Sequence, residues 1–245
     1  MNYEQLVGVT DAIVVELVPM PPDAPDVCPI CRSGKSLNFP TCWSCGHVRA
    51  QVAYPCPIVI PISFYRKPSP FRERMHDYKE SPDLSVRLAQ SRIVGGILVR
   101  YLVENGEQLA DTFGKWDAVV PVPSTKNPAP SALTHAITED YSDFVTPIEW
   151  LVRGTGSMKF NNASQSGFEV SAEIGGAKVL LVDDTFTTGA RMNSAAHALR
   201  AAGAVIIAGL VVARKINPPQ FNTGDLWERQ AAIPFDFADE PWWGR

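Results

Sequence analysis

Two groups of residues in this chain have the types and spacing to do chemistry. The first is Asp183-Asp184-Thr185-Phe186-Thr187-Thr188-Gly189-Ala190, two adjacent carboxylates followed by a hydroxyl-rich turn that ends in glycine. Ionised carboxylates only accept hydrogen bonds, which suits the paired hydroxyls of a ribose or a cation. Thr187, Thr188, Gly189 and Ala190 can wrap a phosphate, with Gly189 letting the backbone come close and the threonines adding donors. The second group is Cys28-Pro29-Ile30-Cys31 and Cys42-Trp43-Ser44-Cys45. Two Cys-x-x-Cys hooks that bend their thiolates toward one point make a tetrahedral four-sulfur site of the kind zinc occupies, and Gly34 and Gly46 let the backbone turn just past each hook. A redox Cys-x-x-Cys explains one hook and leaves the other idle. His47 is then a bystander, and Cys56 reads as a small buried side chain. An odd cysteine total, five, without a secretion signal argues against a disulfide framework.

These residues need elements to hold them. Val179 to Val182 is the apolar run of a central strand covered on both faces, with Asp183 and Asp184 standing where the strand leaves the core, solvated until a ligand arrives. Arg191 to Ala202 is helical, with Met192, Ala195, Ala196 and Leu199 on one face, and Val205 to Val212 is another buried strand. Strand, loop and helix start in this order describe an open parallel sheet, where ligands bind outside the carboxyl ends of the strands and helix N-termini hold phosphate. Ile58 to Tyr65 and Trp116 to Pro123 read as further strands, the prolines of the second fixing the backbone outside the sheet as it opens into Ser124, Thr125 and Lys126. Ser81-Pro82-Asp83 starts a core-facing helix that Gly106 ends, and a helix from Ser131 to near Asp140 precedes a strand reaching Arg153. Arg66, Lys67, Arg72, Arg74 and Lys79, with Phe71 and Tyr78 among them, form either a solvated face or a cover over an anionic ligand. Gly154 to Gly176, rich in glycine, serine and asparagine, reads as a lid.

At 245 residues the economical arrangement is one α/β domain with a small appendage. The expected division is an N-terminal extension at 1–27, a zinc-ribbon-like element at 28–57, an open, mostly parallel sheet flanked by helices at 58–214, and a C-terminal tail at 215–245. Asp11 to Val18 is a strand or a short helix, followed by a proline-rich linker. A net charge of −4 does not suggest general nucleic-acid binding. With no apolar run long enough to span a bilayer and no basic stretch leading into an apolar core, the expected location is cytoplasmic, without membrane insertion.

The run from Lys178 to Ala190 resembles the signature of type I phosphoribosyltransferases, which bind 5-phosphoribosyl 1-pyrophosphate (PRPP). That resemblance implies that Asp183 and Asp184 hold the ribose 2′ and 3′ hydroxyls and that the turn through Thr187 to Ala190 holds the 5′-phosphate. By position, Ser124, Thr125 and Lys126 would take the pyrophosphate, although the segment reads equally as a plain proline-rich connection. Together with the cysteine hooks, Tyr65, His76-Asp77-Tyr78-Lys79 and Val119-Val120-Pro121-Val122-Pro123, the chain resembles ComF-type phosphoribosyltransferase-like proteins, a family associated with competence and DNA uptake. The resemblance implies structural zinc at Cys28, Cys31, Cys42 and Cys45, Mg²⁺ with PRPP, and protein partners in DNA uptake. It puts Asp183, Asp184 and Lys126 in catalytic roles, with Thr185, Thr187, Thr188, Gly189, Ala190, Ser124, Thr125, Lys79 and Arg153 binding substrate. This chain departs from the family pattern in having no arginine between Lys126 and Arg153 and none in the lid. Each charge-assisted hydrogen bond that pyrophosphate thereby forgoes is worth roughly 1.5–3 kcal/mol. Two functions therefore stand side by side: phosphoribosyl transfer with release of pyrophosphate, neutralised by Lys126, Lys79 and Arg153, or a non-catalytic adaptor or sensor on the same scaffold.

Overall fold

The computed structural model describes residues 1–124, 131–217, 223–239 and 241–244. In chain order the elements are α1 (Tyr3–Asp11), α2 (Trp43–Arg49), β1 (Val59–Tyr65), α3 (Pro70–Glu80), α4 (Leu84–Phe113), β2 (Ala118–Pro121), α5 (Ala132–Tyr141), β3 (Leu151–Arg153), β4 (Phe168–Val170), β5 (Lys178–Phe186), α6 (Ala190–Ala201), β6 (Val205–Lys215) and α7 (Thr223–Ala231). Four strands pair in the order β1-β6-β5-β2, every pair parallel. β3 and β4 form a separate antiparallel pair.

Apolar residues on both faces of β5 explain its place inside the sheet, since helices cover a parallel sheet from both sides. Leu180 and Val182 pack in a layer with residues of α1, α3, α4 and α5. Val179 and Leu181 pack on the other side, with α6 and the cysteine hooks. Pro61 lies in β1 and Pro121 in β2, opposite Val211 and Val182. Both strands are at edges, where a missing N–H breaks no ladder. Pro121 thus belongs to the sheet rather than lying beyond it, as the sequence suggested.

The helices around this sheet differ from the sequence expectation in three places. The basic segment that precedes Ser81 is helical: Ser69 accepts a hydrogen bond from the backbone N–H of Arg72 at 3.2 Å and Pro70 opens α3, a proper cap and start. Ser81 ends α3, and Asp83 caps α4 by accepting from the N–H of Ser85 at 2.8 Å. α4 then passes through Gly106 and stops at Gly114, whose φ of 109° continues no helix. A glycine inside a helix costs about 1 kcal/mol. Burial of Asn105 and Leu109 on either side of it outweighs that cost.

The two ends of the chain pack onto the same core. Leu6, Ile13 and Leu17 from the first segment, and Phe237 and Trp242 from the last, lie in the cluster beneath α4. Asn105 donates its side-chain N–H to the carbonyl of Phe237 at 3.0 Å, and Trp242 stacks on the Arg32 guanidinium 4.1 Å from its ring centre. Among the described residues, no helix is long and apolar enough to cross a membrane.

Replacing Asn105 by alanine leaves the Phe237 carbonyl without its donor in the buried core, so Asn105→Ala is expected to lower stability by about 1–3 kcal/mol. A urea midpoint unchanged from that of the parent chain would show that the C-terminal segment is not held at this point.

Candidate functional site: a buried carboxylate pair beside a four-cysteine cluster

The sulfurs of Cys28, Cys31, Cys42 and Cys45 lie within 4.8 Å of one another, and all four residues are buried. None is in a disulfide. The Cys31 and Cys42 sulfurs are 3.7 Å apart. A tetrahedron with metal–sulfur bonds of about 2.3 Å has edges of roughly 3.8 Å, so the spacing fits a metal ion. The second hook is built on a helix start: Cys42 caps α2, its sulfur accepting from the N–H of Cys45 at 3.5 Å. Gly46 lies inside α2, and Arg32, with a φ of 62°, takes the left-handed turn that the sequence assigned to Gly34. Arg32 can hold that backbone because its guanidinium is fixed by Asp23 at 2.5 Å and the Pro21 carbonyl at 2.7 Å. Cys56 is buried apart from this cluster, and burial pushes its thiol up to about 12.

Arg214, at the end of β6, is 4% exposed. Its guanidinium reaches the Cys31 sulfur at 3.6 Å, the carbonyls of Phe186 at 3.1 Å and Thr187 at 2.7 Å, and the Lys215 carbonyl. Among the described residues no carboxylate pairs with it. A buried cation needs a buried counter-charge. Burial works against its charge, but the thiolates of Cys31, Cys42 and Cys45 raise its pKa above the ordinary arginine value.

Asp183 and Asp184 sit inside β5, which continues through Thr185 and Phe186 because β6 is long enough to pair with both. They are therefore buried rather than solvated at the strand exit. Alternation along the strand turns them to opposite faces. Asp183 accepts from Arg191 of α6 at 2.9 Å, whereas Asp184 accepts from the Tyr78 hydroxyl and pairs with the Lys79 ammonium of α3. Both still line one small cleft of about 20 Å³, with Lys79, Ser124, Ser131 and Arg191. Burial pushes Asp183 up to about 7 despite Arg191. For Asp184 burial acts in the same direction, but Lys79 and Arg191 hold it below the carboxylate range. Its other oxygen, Oδ1, is buried without a hydrogen-bond partner.

The turn after β5 depends on one glycine. Gly189 has a φ of 89°, and a Cβ there would lie 2.5 Å from the Phe186 ring and 3.0 Å from the Asn193 side chain. Ala190 then opens α6. The Thr188 hydroxyl donates to the carbonyl of Phe160, and Ser194 accepts from the N–H of Ser164 at 2.8 Å, so the segment expected to be a lid lies docked on the turn. Thr187 and Thr188 line a larger cleft of about 650 Å³ that also meets Lys67, Lys215, Asn161 and Trp43. The carboxylates and the threonines thus open on separate cavities, although the sequence reads as one continuous cradle. Thr185 lies in β5 opposite Ala213 of β6 and lines neither cleft. Arg153 does not line either cleft; its guanidinium donates to the carbonyls of Gly156 at 2.8 Å and Gly167 within its own hairpin region. Thr125 and Lys126 lie outside the described residues.

Sequence reasoning missed three residues of this site. Arg191 left a signal, since a cation in the first turn of a helix opposes the macrodipole unless an acid sits beside it. Tyr78 stood in a segment singled out for recognition, but without a role. Arg214 reads only as the polar end of an apolar strand.

No protein-family model matches this chain, and no curated protein matches it in sequence. Among solved structures, a phosphoribosyltransferase from Corynebacterium diphtheriae is similar at 19% identity and a TM-score of 0.34, the match covering 76% of this chain and 87% of that one.

The raised pKa of Asp183 sets the sign of a pH effect. A carboxyl that titrates higher in the folded chain than its unfolded value of about 3.9 stabilises the fold fully below that value and stops doing so as pH rises toward 7. The stability difference between the parent chain and Asp183→Asn is expected to fall from pH 4 to pH 7.5 in urea titrations. A difference that stays flat or grows would show that Asp183 is ionised throughout.

Proposed function

We propose that this chain is a ComF-type, phosphoribosyltransferase-like protein that binds PRPP or a ribose 5-phosphate ligand at the carboxyl edge of its parallel sheet, with a structural zinc in its four cysteines. The observation that supports the ribose reading most directly is the unpartnered Asp184 Oδ1 in a cleft lined by Ser124 and Ser131. An unpaired buried acceptor costs roughly 1–3 kcal/mol, and a sugar hydroxyl donates the missing hydrogen bond. Lys79 and Tyr78 must first withdraw from Asp184, because a cleft of about 20 Å³ has no room for a sugar. The phosphate end would meet the turn at Gly189 and the N-terminus of α6, where backbone N–H groups favour an anion.

In the catalytic form of this reading, the bond from C1′ to the pyrophosphate oxygen breaks and a nucleophile bonds to C1′. The chain positions the sugar with Asp183 and Asp184 and neutralises the departing pyrophosphate with Lys79 and Lys126. Magnesium would accompany PRPP and offset the charge of its phosphates. The second reading, a cytoplasmic adaptor or sensor in DNA uptake that binds the ligand without turnover, draws on a specific observation: both carboxylates are already paired with protein cations, and Arg153 is turned into its own hairpin.

Calorimetry with PRPP and Mg²⁺ tests the shared claim. Binding is expected, weakened at least about tenfold in Asp184→Asn, the loss expected for a charge-assisted hydrogen bond. Pyrophosphate release with a nucleobase would assign the enzyme, binding without release the sensor, and no binding at millimolar ligand would overturn both. Elemental analysis of the purified chain is expected to give about one zinc per molecule. Folded protein that contains no metal would refute the zinc assignment.

A further inference from the structure

We infer that Arg214 is a positioning residue that couples the metal centre to the turn after β5, so that loading of the four-cysteine site sets the order of Phe186 to Gly189. The inference rests on the metal reading above and adds a function for the ion beyond bracing the hooks. Four thiolates around a divalent cation carry a net charge of −2, and such a buried anion needs a cation against it. Arg214 occupies that position, with one guanidinium nitrogen on the Cys31 sulfur. The other terminal nitrogen donates to the carbonyls of Phe186 and Thr187.

The planar guanidinium is what makes this a coupling rather than two separate hydrogen bonds. Its donors point in fixed directions, so seating one edge on a thiolate aims the other at the turn. The carbonyls it holds immediately precede Thr188 and Gly189, the residues that begin the anion-facing loop. β6 itself is paired with β5 through Thr185 and Phe186, opposite Ala213 and Arg214, so the guanidinium leaves from a rigid base. Removing the metal frees the four sulfurs from their common point, and the guanidinium then loses the fixed seat that aims its other edge at the turn. The physical chain runs from metal to thiolate, from thiolate to guanidinium, and from guanidinium to the two carbonyls.

The test compares the zinc-loaded parent chain with Arg214→Gln and Arg214→Lys, reading hydrogen exchange in the 186–190 peptide, exchange in α4 as reference, and zinc affinity by competition with a chromophoric chelator. Arg214→Gln is expected to speed exchange in 186–190 by about tenfold or more, leave α4 unchanged, and weaken zinc about tenfold, the scale of removing a charge-assisted hydrogen bond. Arg214→Lys, which keeps the charge but not the fork, is expected to retain zinc within about threefold and still loosen the turn. Unchanged exchange in the turn, or unchanged zinc affinity in Arg214→Gln, would overturn the coupling. If Arg214→Gln does not fold, stripping zinc from the parent chain decides: selective loosening of 186–190 supports the coupling, and no change, or equal loosening of α4, overturns it. A chain that never binds zinc refutes the metal reading itself, whereas zinc bound without any response of the turn refutes only this inference.

Discussion

Burying two adjacent carboxylates in the middle of a parallel sheet is the constraint on which the rest of this structure depends. Neither charge can stay there alone, because an isolated buried carboxylate costs far more than folding can supply. The sequence meets the demand from both faces of β5. α6 starts with Arg191 over Asp183, and α3 ends with Tyr78 and Lys79 over Asp184. These pairings fix where two helices sit relative to the central strand, and they also close the cleft. The groups that would grip a sugar are the groups that now hold the fold together.

Such an arrangement has a consequence for any ligand. A polyol arriving at Asp184 competes with an ion pair in a poorly solvated place, where removing one partner leaves the other charge exposed to a high desolvation cost. In the ribose reading, binding at Asp184 therefore requires Lys79 to let go of that carboxylate. Lys79, about a quarter exposed, has a route to water, whereas Asp184 is almost fully buried, so the cation is the partner that can leave. On the opposite face Arg214 plays a comparable part between β5, β6 and the cysteine cluster. The strand–turn unit is thus held by cations acting from different directions, of which Arg214 is the buried one.

Much of the scaffold was legible in the sequence because its signals are local. Apolar runs named β1, β5 and β6, the spacing of Met192, Ala195, Ala196 and Leu199 named α6, and the doubled cysteine hooks named a cluster whose sulfurs do converge. What the sequence hid is set by partners distant along the chain. Whether Asp183 and Asp184 leave the sheet or stay in it is decided by the length of β6, which no pattern within β5 records. The continuation of α4 through Gly106 is decided by Asn105 reaching Phe237 near the other end of the chain. The split between the carboxylate cleft and the threonine cleft arises from strand alternation combined with the fall of two helices on opposite faces, which can be seen only once the sheet order is known.

The most direct measurement is a crystal structure of the chain grown with PRPP and Mg²⁺, or with ribose 5-phosphate. A ribose hydroxyl is expected within hydrogen-bond distance of Asp184 Oδ1, with the Lys79 ammonium withdrawn from that carboxylate and the phosphate on the turn at Gly189. A ligand held elsewhere while Lys79 and Tyr78 keep their contacts to Asp184 would contradict the ribose reading.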